Sequence, residues 1–331
     1  MKPRLASLLL LLLLSSAALP GQTPAIPATP APAKPAAPPS NRLAPTQANV
    51  PYGSDPRQVV DFWQADTAKP APFLIFLHGG SWINGDKNAI YDNGLLTYLK
   101  AGISVVAVEY RRVPAAHAAG LKPPVQWPLR DAARALQFVR HHAADWHLDK
   151  SRAAASGGSA GACSSLWLAL HADLADPASS DPIARESTRL TCAAVSGAQT
   201  SLDPQQMQEW IPNSTYGGHA FGIDPHPETP NGQFLAFLQA RESILPWIRE
   251  YSPYEHADRG DPPIYLAYGS APSLGQPQKD PTHSANFGVK LQEKLQAAGV
   301  PCQLHYPGSP GETAPTMADY ICAQLNGKPQ P

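Results

Sequence analysis

Five consecutive small residues, Gly157-Gly158-Ser159-Ala160-Gly161, carry the clearest chemical signal in the sequence. They follow a predicted short strand at 153–156 and open an apolar segment at 162–170 that is typical of a buried helix. A G-x-S-x-G sequence between a strand and a helix forms a nucleophile elbow. Its tight turn needs small residues two positions before and after the serine, and it presents the hydroxyl at the helix N-terminus, where the dipole favours negative charge. Ser159 is therefore the predicted nucleophile.

A second motif, His78-Gly79-Gly80-Ser81-Trp82, follows a predicted strand at 72–77. Two successive glycines allow the backbone to approach a ligand closely. The amides of Gly79 and Gly80 are predicted to form, with the amide of Ala160, an oxyanion hole for a reacting carbonyl oxygen. A simple turn at the strand exit is the alternative interpretation of the loop. His78 itself is predicted to be structural and to hold the loop in place.

Strands and helices alternate around both motifs. Continuous apolar runs at 72–77 and 103–110 are typical of strands that are buried on both faces of a central sheet. Further strands are predicted at 59–63, 153–156, 192–196, 264–268 and 303–306, and helices near 95–101, 128–143, 162–170, 287–298 and 316–325. This order predicts an α/β fold whose mostly parallel sheet is covered by helices on both faces.

Residues 198–255 interrupt the alternation before the last two predicted strands. The segment contains many turn-forming residues and eight aromatic side chains, namely Trp210, Tyr216, Phe221, Phe234, Phe237, Trp247, Tyr251 and Tyr254. Such an insertion is either a lid or wall beside a substrate, or an elaborated connection with a small core of its own. The sequence leaves both interpretations open.

The composition excludes several classes of protein. A chain of 331 residues forms one large domain or two small ones. With 25 Lys and Arg against 26 Asp and Glu, the net charge is −1, so neither nucleic acid nor an anionic membrane is an expected partner. A hydrophobic content of 43% excludes global disorder. The four cysteines form no C-x-x-C pair, so no structural zinc site is predicted, and no metal or cofactor is expected.

The first 49 residues are predicted to be a targeting signal followed by a linker. Two basic residues, seven consecutive leucines at 8–14 and small residues at 16–18 are typical of a secretory signal peptide, with cleavage after Ala18. The apolar run is shorter than the roughly 20 residues that span a bilayer, so an uncleaved membrane anchor is the less favoured alternative. Residues 19–49 are rich in proline and alanine and predict an extended linker, followed by a folded domain at 50–331. Export to the periplasm or the extracellular space is expected.

The two motifs, together with Gly85-Asp86-Lys87, Glu109-Tyr110-Arg111 and Asp131, resemble the α/β-hydrolase fold. More narrowly, they resemble the HGG-type esterases and lipases, a group that includes acetyl esterases and feruloyl-esterase-like and hormone-sensitive-lipase-like enzymes. The resemblance extends from about residue 50 to 326. It implies an eight-stranded sheet, a serine nucleophile, an acid after the seventh strand and a histidine after the eighth. It also implies a small-molecule or carbohydrate ester as substrate.

The positions that should supply the acid and the base are altered in this sequence. Tyr268-Gly269, at the end of the predicted seventh strand, is followed by no carboxylate where the family has its acid. Pro307-Gly308, after the predicted eighth strand, is followed by no histidine. His283 begins the predicted helix after strand seven, at the sheet edge that carries the serine, and Asp280 is its nearest acidic partner. We therefore consider His283 as the base and Asp280 as the acid, with an exposed first-turn histidine as the alternative.

Other histidines offer weaker alternatives. His305 is placed within the last strand, the adjacent pair His141 and His142 faces two directions on a helix, and the insertion region contributes His219, His226 and His256. None of these is favoured by its spacing.

Two functions from different classes follow. The intact elbow and loop glycines favour an exported carboxylic-ester hydrolase with an incomplete or rearranged triad. The altered acid and base positions favour a hydrolase-fold protein that binds its ligand without turnover. An imidazole nitrogen within about 3.5 Å of the Ser159 hydroxyl would discriminate between the two. The oligomeric state does not follow from the sequence.

At most one disulfide is predicted, between Cys302 and Cys322. Cys192 and Cys302 begin strands that should be two strand spacings apart, about 9.6 Å, which exceeds the roughly 7 Å that a disulfide can bridge. Cys163 lies in the elbow helix near the opposite edge of the sheet. The final helix runs back along the sheet and could bring Cys322 near Cys302.

Overall fold

A computed structural model describes residues 42–223, 232–310 and 315–327. Its strands are β1 (Gln47–Pro51), β2 (Val59–Trp63), β3 (Ala71–Leu77), β4 (Ser104–Val108), β5 (Leu148–Gly158), β6 (Cys192–Ser196), β7 (Ile264–Ala267) and β8 (Cys302–His305). They form one sheet in the order β1-β2-β4-β3-β5-β6-β7-β8. β2 pairs antiparallel with both of its neighbours, and all other neighbouring strands are parallel. The predicted α/β-hydrolase fold is confirmed.

Helices cover both faces of this sheet. In the described ranges the α-helices are α1 (Leu95–Lys100), α2 (Val113–Ala118), α3 (Gln126–His141), α4 (Ala160–Leu170), α5 (Pro204–Trp210), α6 (Gly232–Tyr251), α7 (Pro253–His256), α8 (Ala285–Ala297) and α9 (Met317–Leu325). Short 3-10 helices occupy Lys87–Asp92 and Gly218–Phe221. Side chains of α1 and α9 share one hydrophobic cluster, whereas those of α3, α4 and α8 share the cluster on the other face.

The central strand β3 shows why the sequence alternates as it does. All seven of its residues are buried. Because side chains alternate across a strand, Phe73 and Ile75 pack with α3 and α4, whereas Leu74 and Phe76 pack with α1 and α9. Leu77, the last residue of β3, pairs in register with Gly157 of β5. The glycine loop and the serine elbow therefore leave the sheet at the same edge.

The aromatic-rich segment 198–255 extends this core. It contains α5, α6 and the start of α7, while residues 224–231 lie outside the described part of the chain. Five of its aromatic residues are buried in the cluster that also contains α3 and α4: Trp210, Phe221, Phe234, Phe237 and Tyr251. These five side chains therefore pack as part of an elaborated connection and not as a lid or a wall beside a substrate.

The folded unit begins at Leu43, earlier than the boundary at residue 50 that the composition suggests. The backbone oxygen of Leu43 accepts hydrogen bonds from Trp63 Nε1 at 3.1 Å and from the Tyr91 hydroxyl at 2.8 Å, and β1 starts at Gln47. The predicted spacer therefore ends before residue 43. The predicted signal peptide and residues 19–41 lie outside the described residues. In the described ranges, no helix combines the length and hydropathy needed to cross a bilayer.

This boundary predicts how truncations behave. A chain beginning at Arg42 should melt at the same temperature as one beginning at Leu19. A chain beginning at Asn49 should melt about 5 °C lower, because it loses both hydrogen bonds to Leu43, each worth about 1 kcal/mol, and the first residues of β1. Thermal denaturation followed by circular dichroism measures the difference. Equal melting of all three chains would show that residues 43–48 do not stabilise the domain.

The predicted disulfide between Cys302 and Cys322 is wrong. All four cysteines lie within the described residues, and no disulfide joins any two of them. The two residues pack on opposite faces of the sheet, since Cys302 contacts the cluster of α3 and α4 and Cys322 contacts that of α1 and α9. The final helix does run back along the sheet, but it covers the face that Cys302 does not share.

Candidate active site

The nucleophile elbow has the backbone geometry that its sequence predicts. Ser159 stands between β5 and α4 with φ 55° and ψ −123°, a strained conformation that is common at functional sites. A Cβ atom on Gly157 would lie 2.3 Å from the Leu77 oxygen, and one on Gly161 would lie 2.0 Å from it. Glycine at both positions therefore allows the elbow to pass directly over the end of β3.

The glycine loop after β3 packs against the elbow. A Cβ atom on Gly79 would lie 2.8 Å from the Gly158 oxygen and 3.4 Å from Ser159 Cβ. Trp82, which is fully buried, donates a hydrogen bond from Nε1 to Ser164 Oγ at 2.9 Å and so joins the loop to α4. The loop is held beside the serine, as an oxyanion hole requires. The oxyanion-binding roles of Gly79, Gly80 and Ala160 stay predictions.

His78 has the environment of a structural residue. Its ring is fully buried and stacks on Tyr110 with the ring centroids 4.1 Å apart. Nδ1 donates a hydrogen bond to the Gly79 oxygen at 2.8 Å, and the Tyr110 hydroxyl donates to the His78 oxygen at 2.7 Å. Burial lowers the pKa of His78, so a neutral imidazole braces the turn.

An imidazole lies within hydrogen-bond distance of the elbow serine. His283 Nε2 is 2.9 Å from Ser159 Oγ, and His283 Nδ1 is 2.8 Å from Asp280 Oδ2. Because a carboxylate only accepts, Nδ1 carries the proton and Nε2 presents its lone pair to the serine hydroxyl. Asp280, His283 and Ser159 thus form a continuous hydrogen-bonded chain with the order of a catalytic triad. Asp280 and His283 lie three residues apart on the loop between β7 and α8, which differs from the family's usual positions for the acid and the histidine.

A local turn fixes the acid and the histidine relative to each other. Asp280 Oδ1 accepts hydrogen bonds from the amides of Thr282 and His283, each at 3.2 Å. Partial burial raises the pKa of Asp280, but the hydrogen bonds from the His283 ring and the two amides outweigh it and lower that pKa below its ordinary value. The carboxylate is therefore ionised at neutral pH and can stabilise a protonated imidazole.

Gly197 and Gln199, which follow β6, contact the loop that carries Asp280 and His283. Gln199, which is fully buried, donates from Nε2 to the Thr282 oxygen at 2.7 Å and to the Gly197 oxygen at 3.0 Å. Gly197 has φ 59°, and a Cβ atom there would lie 3.2 Å from His283 Cδ2, so the ring packs across this glycine. Neither residue belongs to a motif that the sequence reveals. Their position just beyond β6, at the sheet edge that carries the serine, was the available signal.

The three side chains lie beside a cleft of about 390 Å³, which Ser159 and His283 line. Its walls come from the ends of β3, β5 and β6, the 3-10 helix after the glycine loop, and the histidine: Phe76, Gly79, Ala89, Asn93, Gly158, Ser159, Ser196, Gly197 and His283. No aromatic residue of the segment 198–255 is among them. A substrate wall formed by those aromatic side chains is therefore not supported in the described residues.

Both sequence motifs and the loop from β7 to α8 fall within one match to a known family. The family model described as BD-FAE matches residues 61–286, which is more than half of the chain. The chain belongs to the BD-FAE family. The match includes both glycine motifs, Asp280 and His283.

Curated relatives of this BD-FAE chain are named as esterases. It is 28% identical over 233 residues to Esterase LipC of Mycobacterium tuberculosis, covering 67% of this chain and 50% of the relative. It is 31% identical over 163 residues to Esterase LipQ of the same organism, covering 47% of this chain and 36% of the relative. The chain thus spans half or less of the length of these two relatives.

Solved structures support the same fold for the BD-FAE chain. An acetyl ester-xyloside bifunctional hydrolase from Caldicellulosiruptor lactoaceticus aligns with a TM-score of 0.58 and 21% identity over 80% of this chain and 86% of that one. A truncated carbohydrate esterase from gut microbiota aligns with a TM-score of 0.61 and 17% identity over 85% and 96%. At these identities the likeness concerns the fold.

The other histidines of the BD-FAE chain make different contacts. His305 stacks on Tyr265 within the sheet, at a centroid distance of 4.9 Å. His219 donates from Nε2 to the Ser81 oxygen at 3.1 Å and so supports the glycine loop from outside. His226 lies outside the described residues. Among the histidines just compared that lie in the described residues, His283 is the one within hydrogen-bond distance of Ser159 Oγ.

The exposure of the acid predicts a modest effect of Asp280→Asn in the BD-FAE protein. The Asp280 side chain is 58% exposed, so water screens its charge more than that of a buried triad aspartate. We expect kcat/KM for p-nitrophenyl acetate to fall about tenfold to a hundredfold, less than the roughly 10⁴-fold loss seen when a buried triad aspartate becomes asparagine.

Asp145→Asn is the matched control. Asp145 Oδ2 lies 3.3 Å from His142 Nδ1 in another exposed pair with the same three-residue separation, and this pair is at the end of α3. Its loss should leave kcat/KM unchanged. If kcat/KM of Asp280→Asn stays within about twofold of the parent value, Asp280 is not the acid of the triad, since general acid–base groups contribute far more.

Proposed function

We propose that the protein is a carboxylic-ester hydrolase in which Ser159 forms an acyl-enzyme. The observation that carries this proposal is the 2.9 Å contact between His283 Nε2 and Ser159 Oγ, with Asp280 Oδ2 2.8 Å from His283 Nδ1. A serine without an adjacent base is a poor nucleophile, and this contact supplies the base. The esterase names of the curated relatives support the same reaction class.

Acylation begins when Ser159 Oγ attacks the ester carbonyl carbon while His283 Nε2 accepts the hydroxyl proton. The carbonyl oxygen of the resulting tetrahedral intermediate carries the negative charge. The amides of Gly79, Gly80 and Ala160 stabilise this oxyanion. The carbon–oxygen bond to the alcohol then breaks, and the alcohol leaves with the proton from His283.

Deacylation repeats these steps with water. His283 Nε2 takes a proton from a water molecule, whose oxygen attacks the acyl carbon on Ser159. Collapse of the second tetrahedral intermediate releases the carboxylic acid and returns the proton to Ser159 Oγ. The His283 side chain is 40% exposed and lines the cleft, so water has access to this histidine.

The substrate class that we propose is a small-molecule or carbohydrate ester. A cleft of about 390 Å³ lies within the size range of small-ligand sites. Structural neighbours whose titles name an acetyl ester-xyloside hydrolase and a carbohydrate esterase support the carbohydrate alternative. Export through an N-terminal signal peptide remains part of the proposal, supported by the basic, leucine-rich first 18 residues. Loss of those residues, seen in the intact mass of the secreted protein, would test it.

A binding protein without turnover is the second candidate. Its support was the absence of an acid and a histidine from the usual positions after β7 and β8. Asp280 and His283 offer the same two groups from a single loop, so that support is weakened.

Hydrolysis of an unactivated ester separates the two candidates. We expect turnover of both p-nitrophenyl acetate and ethyl acetate, because a general base contributes about 10²–10⁴-fold to the rate of attack. Release of acetic acid from ethyl acetate is followed in a pH-stat, with Ser159→Ala as the control that should give only the uncatalysed rate. Turnover limited to p-nitrophenyl acetate, or turnover that persists in Ser159→Ala, would contradict the proposal.

A further inference from the structure

Two histidines and a glutamate meet at a point outside the cleft. His171 follows the C-terminus of α4, Glu250 lies in the last turn of α6, and His256 ends α7. One possible ligand atom from each of them lies within 4.8 Å of those of the other two. His171 Nε2 is 3.6 Å from Glu250 Oε1, and the two imidazole centroids are 4.5 Å apart. None of the three side chains lines the active-site cleft.

Both histidines are oriented as metal ligands are. His171 Nδ1 donates to the Ala172 oxygen at 2.8 Å, and His256 Nε2 donates to the Glu250 oxygen at 2.6 Å. Since a carbonyl oxygen only accepts, these contacts fix the protonated nitrogen of each ring and leave His171 Nε2 and His256 Nδ1 with lone pairs. A metal-bound histidine usually donates a hydrogen bond from its other ring nitrogen, and a backbone carbonyl is a common acceptor of that bond.

We propose that His171, Glu250 and His256 form a binding site for a divalent transition metal, Zn²⁺ being the best match to two imidazoles and a carboxylate. Zinc takes nitrogen and carboxylate oxygen ligands at about 2.0–2.2 Å, which places neighbouring ligand atoms about 3.4 Å apart. Because the ligand atoms lie within 4.8 Å of one another, the side chains close only slightly to reach this geometry. No C-x-x-C pair indicates such a site, so the sequence alone predicts no metal.

Neighbouring side chains hold the glutamate of this cluster in place. Arg130 Nη2 donates to Glu250 Oε1 at 2.8 Å and orients the carboxylate, as hydrogen-bonding partners of metal-bound carboxylates do. Trp167 Nε1 donates to the Glu250 oxygen at 2.8 Å and fixes the end of α6. A bound metal would tie the elbow helix α4 to α6 and α7.

Titration of the untagged protein with Zn²⁺ tests the site. We expect one Zn²⁺ per chain, measured by competition with a chromophoric chelator, and a melting temperature about 5 °C higher when free Zn²⁺ is about 100 times Kd. His171→Ala and His256→Ala should each weaken Zn²⁺ binding at least about 100-fold. Even the loss of a residue that only hydrogen-bonds to a metal ligand lowers metal affinity by about 10–100-fold. His141→Ala, at the end of α3, is the matched control and should bind as the parent does.

Zinc-edge X-ray absorption of the parent protein provides a test that does not depend on variants that fold. Two imidazole ligands per zinc support the proposal. No saturable uptake, a spectrum without imidazole scattering, or binding that persists unchanged in the His171→Ala His256→Ala double variant would overturn it and leave a hydrogen-bonded cluster with Arg130. Ester hydrolysis plays no part in these readouts, so they are independent of the proposed activity.

Discussion

Replacement of His283 by alanine is expected to lower kcat for p-nitrophenyl acetate by about 10²–10⁴-fold, which is the usual contribution of a general base. The imidazole is the group that contacts Ser159 Oγ, at 2.9 Å, and its removal leaves the hydroxyl at its ordinary reactivity. Because the side chain is 40% exposed, the melting temperature should change little. Steady-state kinetics and a thermal melt of the same preparation measure both quantities.

His305→Ala is the matched control. This histidine lies in β8, the strand after which the family places its base, yet its ring stacks on Tyr265. Its replacement should leave kcat within about twofold of the parent, as expected for a residue outside the site. A His283→Ala enzyme that keeps at least about a third of its activity would exclude His283 as the base, given the size of a general base's contribution. If only His305→Ala lowered kcat, the base would instead be His305, close to the family's usual position.

Gly161→Ala is expected to destabilise the protein by about 3 kcal/mol, the upper end of the usual cost of overpacking a core. Helix propensity alone predicts the opposite, since alanine is favoured over glycine within a helix by about 1 kcal/mol. The new Cβ atom would lie 2.0 Å from the Leu77 oxygen and 2.7 Å from the His78 oxygen. Both are backbone atoms at the end of β3, so relief requires the elbow or the central strand to shift.

Gly158→Ala is the control that shows whether any methyl group added to the elbow destabilises the protein, or only one that meets β3. A Cβ atom there would meet the Ser196 hydroxyl oxygen at 3.3 Å as its nearest neighbour, and Ser196 can adjust. We expect a change in unfolding free energy within about 1 kcal/mol. Urea denaturation of both variants measures the difference. Equal stability of the two would show that the elbow does not need to pass so close to β3.

Local sequence patterns predicted much of the fold and half of the site. The continuous apolar runs of β3 and β4 identify central strands because these strands are buried on both faces. The elbow was predictable because its constraint is local: glycine is needed two positions on either side of Ser159. The strand β1 was missed because four of its five residues are exposed and it follows directly on a proline-rich segment.

The proposed acid and base were harder to predict because their role depends on contacts between residues far apart in the sequence. Asp280 and His283 have a recognisable spacing, but Ser159 lies far earlier in the chain. What brings them together is the sheet order, in which β5, β6 and β7 are neighbours. Gln199, buried under the loop, likewise has a role only once Thr282 is placed above it. The mistaken disulfide has the same origin, since no local pattern shows which sheet face α9 covers.

Covalent labelling of the active serine tests the central claim most directly. The protein is incubated with a fluorophosphonate, and intact mass and peptide mapping locate the adduct. We predict one adduct per chain, on Ser159, forming at least about a hundredfold more slowly in His283→Ala, because the base that activates the hydroxyl is gone. No adduct, an adduct on another residue, or an unchanged labelling rate in His283→Ala would contradict a triad of Ser159, His283 and Asp280.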